Sequence, residues 1–164
     1  MENFFTDFCD TSRVWIYVAS RDLRKAEEDL LAVRLEEFFE DWKSHGDQVR
    51  ADARFLYSRF LIIAADQASI KVSGCAIDTL FRMISDFSQD LDLKFSVSSR
   101  IFFRQGTKIA EVDDSTFEQL VKDRQVTPET VVFNNAISTL GELRSHKWET
   151  TCANSWHSKR FDVQ

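Results

Sequence analysis

No charged residue interrupts the stretch Val14-Trp15-Ile16-Tyr17-Val18-Ala19 near the start of the chain. A continuous run of β-branched, aromatic and other apolar residues is typical of a strand that is buried on both faces. A second run of the same kind, Phe60-Leu61-Ile62-Ile63-Ala64-Ala65, follows further along the chain. The two runs predict the central strands of one sheet, and the elements around them indicate which sheet it is.

A helix and a half-exposed strand are predicted between the two apolar runs. Apolar residues recur at helical spacing from Glu27 to Lys43, and Gly46 ends that helix. Residues from Ala51 to Phe55 alternate between apolar and charged, as in a strand with one solvated face. A single strand over 51–65 would be about 50 Å long, so we predict a turn near Tyr57-Ser58.

The rest of the chain predicts a second helix, a hairpin and several short elements. The main ones are a helix over 76–90, a fourth strand from Phe95 to Phe103, and a turn at Gln105-Gly106 into a strand from Thr107 to Val112. The shorter ones are a helix from a Ser115/Glu118 capping box to Arg124, a helix start or turn at Thr127-Pro128, a strand at Val131–Phe133, and a brief helix from Thr139 to Arg144 in an irregular tail.

The order of the first six elements, β-α-β-β-α-β, predicts an α+β fold with a ferredoxin-like core. In a sheet ordered 4-1-3-2 the first and third strands are central, which agrees with their unbroken apolar runs. The hairpin strand would extend the edge of this sheet. We expect a single domain over 13–164, preceded by a leader over 1–12 whose Phe4, Phe5 and Phe8 pack on it.

Composition limits the classes of function. The 164 residues carry a formal net charge of −6, which argues against a duplex-DNA-binding protein. The three cysteines, Cys9, Cys75 and Cys152, form no CxxC pair and fit a reducing cytoplasm. No run approaches the roughly 20 apolar residues of a membrane-spanning helix, and the N-terminus is unlike a signal peptide. We therefore expect a cytoplasmic protein with neither nucleic-acid nor membrane partners.

The predicted topology suggests where a ligand would bind. We expect the two central strands to run parallel, so that the turns after them, at Ser20-Arg21-Asp22 and Ser73-Gly74-Cys75, lie side by side. Two helix starts there would offer free N–H groups to a small anion or a carboxylate, unless both serines merely cap their helices. A C-terminal segment that folds back would add Trp156 and His157 to this pocket. The candidate ligand-binding residues are Ser20, Arg21, Lys71, Ser73, Gly74, Cys75, Asp78, Trp156 and His157.

Cys75 suggests an alternative function. A thiol at a helix N-terminus has a lowered pKa and is a better nucleophile, and His157 could act as its base. A buried cysteine at a tight turn is the other interpretation. The histidines show no metal-binding spacing, and the four glycines form no phosphate-binding loop, so we expect no metal and no cofactor.

An apolar segment flanked by arginines, Arg100-Ile101-Phe102-Phe103-Arg104, is predicted to be an edge strand. An uncovered edge of this kind pairs readily with another chain. We expect either the C-terminal segment to cover it, which leaves a monomer, or a second copy to pair with it.

Several blocks of the sequence resemble one family. They are Val14-Trp15-Ile16-Tyr17, Arg59-Phe60-Leu61-Ile62, Ser73-Gly74-Cys75-Ala76-Ile77-Asp78, Val132-Phe133-Asn134-Asn135, Ser155-Trp156-His157 and Arg160-Phe161. Together they look like the blocks of an uncharacterised Bacteroidetes family whose members often carry the automatic label "ABC transporter ATPase". The label implies ATP hydrolysis, which this sequence does not support, because the lysine and hydroxyl residue of a P-loop are missing. We therefore expect a non-catalytic binding or interaction domain, with a thiol-dependent enzyme as the alternative.

Overall fold

A computed structural model describes residues 5–66, 71–96 and 100–164. The chain mixes α and β structure and divides into two compact units. Unit 1 comprises Met1–Val97 and Ser138–Gly141, and unit 2 comprises Ser98–Ile137 and Glu142–Gln164. The sequence predicted one domain over 13–164, together with the leader over 1–12.

Unit 1 contains one four-stranded sheet, two long helices and a small hairpin. Its elements are β1 (Arg13–Ala19), α1 (Lys25–Asp41), β2 (Lys43–Ser44), β3 (Asp47–Gln48), β4 (Ala51–Leu56), β5 (Phe60–Ala65), α2 (Gly74–Asp90) and β6 (Phe95–Ser96). The hydrogen-bonded order of the sheet is β4-β5-β1-β6. The two apolar runs are therefore central, as predicted, and every residue of β5 is buried.

The prediction that the two central strands run parallel is wrong. Arg13 is paired with Ala65 and Val18 with Phe60, which is an antiparallel register. Because α1 returns the chain to the starting end of the sheet, β4 runs in the direction of β1, and the turn after β4 then reverses the chain. Tyr57 and Ser58 in that turn both have positive φ, 55° and 49°. Glycine and asparagine are the residues that usually adopt this backbone conformation in such turns.

Both helices cover the same face of this sheet. Leu31 and Leu35 from α1, and Leu80 and Ile84 from α2, pack with alternate residues of the central strands in one core. The leader residues Phe5 and Phe8 are buried as expected, while Phe4 lies outside the described residues.

Unit 2 contains a second antiparallel sheet, which the sequence did not predict. Its elements are β7 (Ile101–Gln105), β8 (Lys108–Val112), α3 (Asp114–Lys122), β9 (Val131–Phe133), α4 (Leu140–Arg144, which begins in unit 1), β10 (Glu149–Thr151), a 3-10 turn (Cys152–Asn154) and α5 (Trp156–Phe161). The strand order is β10-β9-β7-β8. The hairpin therefore belongs to this sheet and does not extend the first one.

Several local predictions change as a result. The predicted strand Phe95–Phe103 contributes β6 to the first sheet and β7 to the second, and its residues 97–99 lie outside the described part. Because β7 pairs on both sides, the predicted edge at 100–104 is not an edge. The cap of α3 is Asp113, which accepts a hydrogen bond from Thr116 N–H, rather than Ser115. The tail predicted to be irregular forms β10 and α5.

Candidate functional site

A groove between α1 and α2 in unit 1 has a volume of about 880 Å³. The two helices run antiparallel, as shown by contacts that join the C-terminal end of each helix to the N-terminal end of the other. At one end the indole N–H of Trp42 donates to the carbonyl oxygen of Ala76 over 2.9 Å. At the other end Arg21, which also binds Glu27 of α1, donates to the carbonyl oxygen of Leu91 over 3.1 Å. The groove thus lies between two helices that are joined to each other at both ends.

The walls of the groove include aromatic and thioether side chains. Trp42 and Phe87 are buried, and Phe38 and Met83 are half-buried. The rings of Phe38 and Trp42 lie 5.6 Å apart, which orders this apolar surface. Large apolar side chains that remain partly solvated at the bottom of a cleft are typical of binding sites.

Charged side chains of both signs surround these apolar residues. The basic ones are Arg34, Lys43 and Arg82, and the acidic ones are Glu37, Asp41, Asp86 and Asp90. Within the described part of the chain none of the seven forms an ion pair, so all of them are available to a ligand.

The exposed apolar surface continues along α1 beyond the groove. Leu30 and Val33 are 47% and 51% exposed, and they lie one turn before Arg34 and Glu37 on the same side of the helix. A partner longer than the groove itself would therefore still meet apolar side chains there.

The structure does not bring the residues predicted for the anion pocket together. Ser20 and Arg21 contact Lys94 and Leu91 beyond the C-terminus of α2, whereas Lys71 and Ser73 contact Ser44 beside its N-terminus. The 17 residues of α2 separate these places by about 25 Å. The antiparallel direction of β1 and β5 explains this result, because the turns that follow them lie at opposite ends of the sheet.

Individual residues of that prediction are committed to local contacts. The Arg21 guanidinium and the backbone and side chain of Arg24 bind the buried carboxylate of Glu27. The hydrogen bonds from Arg21 and then from Arg24 hold the pKa of Glu27 well below its usual range. Ser73 caps α2 by accepting a hydrogen bond from the N–H of Ala76, whereas the N-cap of α1 is Arg24 and not Ser20.

The other predicted residues of α2 lie at its surface. Cys75 is exposed, contrary to the interpretation as a small buried cysteine. Asp78 is also exposed, and it is not among the residues that line the groove. A Cβ at Gly74 would meet no atom within 4 Å, so no close backbone approach requires a glycine there.

The predicted partner of Cys75 belongs to the other unit. Cys75 is in unit 1, whereas Trp156 and His157 are in unit 2. The Nδ1 atom of His157 makes a 2.8 Å hydrogen bond with the Ser155 hydroxyl, and the ring stacks on Trp156 at 3.8 Å. Burial lowers the pKa of His157 to about 4, so the ring is neutral at physiological pH. The pairing of Cys75 with His157 gains no support from these contacts.

Among the described residues no group of three or more His, Cys, Asp or Glu side chains could hold a metal ion. The same residues include no helix with the length and apolarity needed to cross a bilayer.

Sequence reasoning did not identify the groove, although α1 carried a signal. Its apolar stripe is wider than one buried face, because Phe38 and Phe39 are neighbours and cannot both point at the core. Phe39 is buried, and Phe38 is the residue left at the groove.

Comparison with known proteins adds no family and no fold relative. None of the protein-family models, curated proteins or solved structures matches this chain.

Proposed function

We propose that this protein is a binding module whose α1–α2 groove takes a basic amphipathic helix from a partner protein. The observation that carries the proposal is an apolar groove, bordered by four acidic and three basic side chains, between two helices that as a whole carry a large excess of carboxylates. An amphipathic helix that lays its apolar face into such a groove is a recurring mode of peptide recognition.

Charge complementarity favours a cationic partner. Together α1 and α2 carry ten carboxylates, one of them the buried Glu27, and three basic side chains, Lys25, Arg34 and Arg82. A field of this sign raises the rate at which a positively charged segment associates, and it repels nucleic acid. The unpaired acids Glu37, Asp41, Asp86 and Asp90 around the groove would form ion pairs with lysines or arginines at the border of the bound apolar face.

The dimensions and composition of the groove also suit a helix. Its α1 side extends from Arg34 to Asp41, about 10 Å, or two helical turns. Phe38, Met83 and Phe87 provide apolar surface for side chains at i, i+3 or i+4, and i+7 of such a helix. Methionine adapts its shape to different side chains, which fits a surface that receives a partner.

The test uses a synthetic peptide of about 14 residues, with leucines at helical spacing and lysines elsewhere. We expect its binding to perturb the amide signals of Phe38 and Met83 in NMR spectra. The variant Glu37→Lys/Asp86→Lys should bind at least about tenfold more weakly, because two carboxylates at the border are reversed. A twin peptide with glutamates in place of lysines should not bind.

The matched control is Glu36→Lys/Asp78→Lys, which makes the same change of charge on the same two helices outside the groove. This control should retain most of the affinity. An equal loss in both double variants, or equal binding of the glutamate twin, would show that only the net charge of the protein attracts the peptide.

We also infer three broader properties. A ferredoxin-like topology for unit 1 is supported by its β-α-β-β-α-β order and by two helices on one face of the sheet. Membership of the Bacteroidetes family is supported by the sequence blocks, two of which pair in β1 and β5. A cytoplasmic location is supported by the exposed free thiols of Cys9 and Cys75, which persist in a reducing compartment.

A further inference from the structure

The outer strand of the first sheet is β4. It pairs only with β5 among the described strands. The N–H of Asp66 donates to the carbonyl oxygen of Arg50, so the backbone groups of Arg50 and of residues 52, 54 and 56 face β5. The N–H and C=O groups of the alternate residues, Ala51, Ala53 and Phe55, therefore point outward. Along the strand, three alternate residues thus direct their backbone groups away from β5.

Two neighbouring side chains occupy the middle of this edge. The N–H of Ala53 donates to the Asp52 carboxylate over 2.7 Å. The Arg54 guanidinium donates to the carbonyl oxygen of Ala53 over 2.7 Å and to the same Asp52 oxygen over 2.6 Å. Both outward groups of Ala53 are thus bonded to the side chains on either side of it. Exposed strand edges are commonly protected by charged residues.

The sequence of β4 is also complementary to itself. In an antiparallel pairing of two copies centred on Ala53, Asp52 of each copy lies opposite Arg54 of the other. Ala51 lies opposite Phe55 in the same pairing, and the outward groups of residues 51, 53 and 55 exchange hydrogen bonds. Opposite charges on facing strand positions stabilise such a pair.

We propose that β4 is an interface for a second copy of this chain, paired antiparallel about Ala53. On pairing, each Arg54 exchanges the Asp52 of its own chain for the Asp52 of the other copy. The exchange is feasible because the side chains of Arg54 and Asp52 are 48% and 37% exposed, and exposed ion pairs are weak. The carboxylates of Glu36 and Glu40 line the groove beside β4, so two copies repel each other there until salt screens them.

The test is the oligomeric state of the full chain by analytical ultracentrifugation, at about 0.3 M salt and protein concentrations up to about 500 μM. We expect a concentration-dependent dimer for the unmodified protein. Ala53→Pro should remain monomeric, since it removes the central N–H while an outward-facing edge position tolerates proline. Asp52→Arg should also be monomeric, because it places like charges opposite each other.

The charge-swapped variant Asp52→Arg/Arg54→Asp restores the complementary pairs and should dimerise again. A dimer restored by the swap would also show that the single variant had lost the interface and not the fold. A protein that is monomeric over the whole range would overturn the proposal. Dimerisation of Ala53→Pro at unchanged strength, or failure of the swap to restore a dimer lost in Asp52→Arg, would overturn it as well.

Discussion

The indole N–H of Trp42 donates a hydrogen bond to the carbonyl oxygen of Ala76, 2.9 Å away, and joins the end of α1 to the first turn of α2. Trp42 is buried, and its ring also lies 5.9 Å from Phe39 and 6.2 Å from Trp15. This contact defines one end of the proposed binding groove, because it determines how closely the two helices approach.

Replacement of Trp42 by phenylalanine removes the hydrogen bond and only the smaller part of the buried ring. We expect Trp42→Phe to lower the free energy of unfolding by about 1 kcal/mol, the usual net contribution of one hydrogen bond. Trp42→Ala should cost about 3–5 kcal/mol, because it also leaves a cavity. Urea denaturation followed by circular dichroism measures both values. Equal losses in the two variants would mean that the ring contributes nothing by packing.

The buried ion cluster at Glu27 should make stability depend on acid pH. Because the pKa of Glu27 is lower in the folded chain than in the unfolded one, its contribution is complete above the ordinary glutamate pKa of about 4.3 and is lost as the pH falls below that value. We expect Glu27→Gln to melt at a lower temperature than the unmodified protein at pH 7. The difference should shrink steadily below about pH 4. A difference that stays constant from neutral to acid pH would contradict this assignment.

His157 should act in a different pH range. The folded pKa of about 4 lies below the ordinary value of about 6.5, so the unfolded chain binds the proton more readily. The contribution of neutral His157 is complete above about pH 6.5 and falls, by up to about 3 kcal/mol, as the pH drops to about 4. NMR titration of the imidazole and unfolding measurements at several pH values test this together. The variant His157→Gln should lack this part of the pH dependence, whereas His146→Gln, at an exposed position, should retain it.

Two glycines offer a matched pair of substitutions. A Cβ at Gly141 would lie 3.2 Å from both the Cβ and the carbonyl oxygen of Asp10, and the N–H of Gly141 already donates to that oxygen. We expect Gly141→Ala to cost about 1–3 kcal/mol, because the backbone has to move. Gly74→Ala, with open space around it and no positive φ, should range from neutral to about 1 kcal/mol more stable. Denaturant unfolding of both variants checks the contrast, which would fail if the two substitutions had equal effects.

The helices and central strands could be predicted because each has a distinct hydrophobic period. The predicted helix Glu27–Lys43 corresponds to α1 within two residues, and the predicted strand Phe60–Ala65 coincides with β5. Local sequence patterns did not predict turns in which the backbone adopts a conformation that is rare for the residues present. Tyr57 and Ser58 form a tight turn with positive φ, so the length limit on a strand, and not turn composition, indicated the reversal.

The candidate site was harder to predict than the fold. Its residues, such as Phe38 and Met83, come from two helices that are distant in sequence, and each also fits the pattern of an ordinary core side chain. Only the spacing of α1 and α2 leaves these side chains partly open. The pocket first predicted, near Ser20 and Ser73, depended on strand direction, which hydrophobic patterns do not encode.

The sequence by itself determined which segments are buried and which are helical, because burial and helical period depend on the order of apolar and polar residues along one element. The tertiary structure alone decided three further properties: the antiparallel direction of β1 and β5, the assignment of β7 to a second sheet, and the groove between α1 and α2. Each depends on how separate elements pair or pack. Such contacts are made between residues far apart in the chain, where no local pattern records the partner.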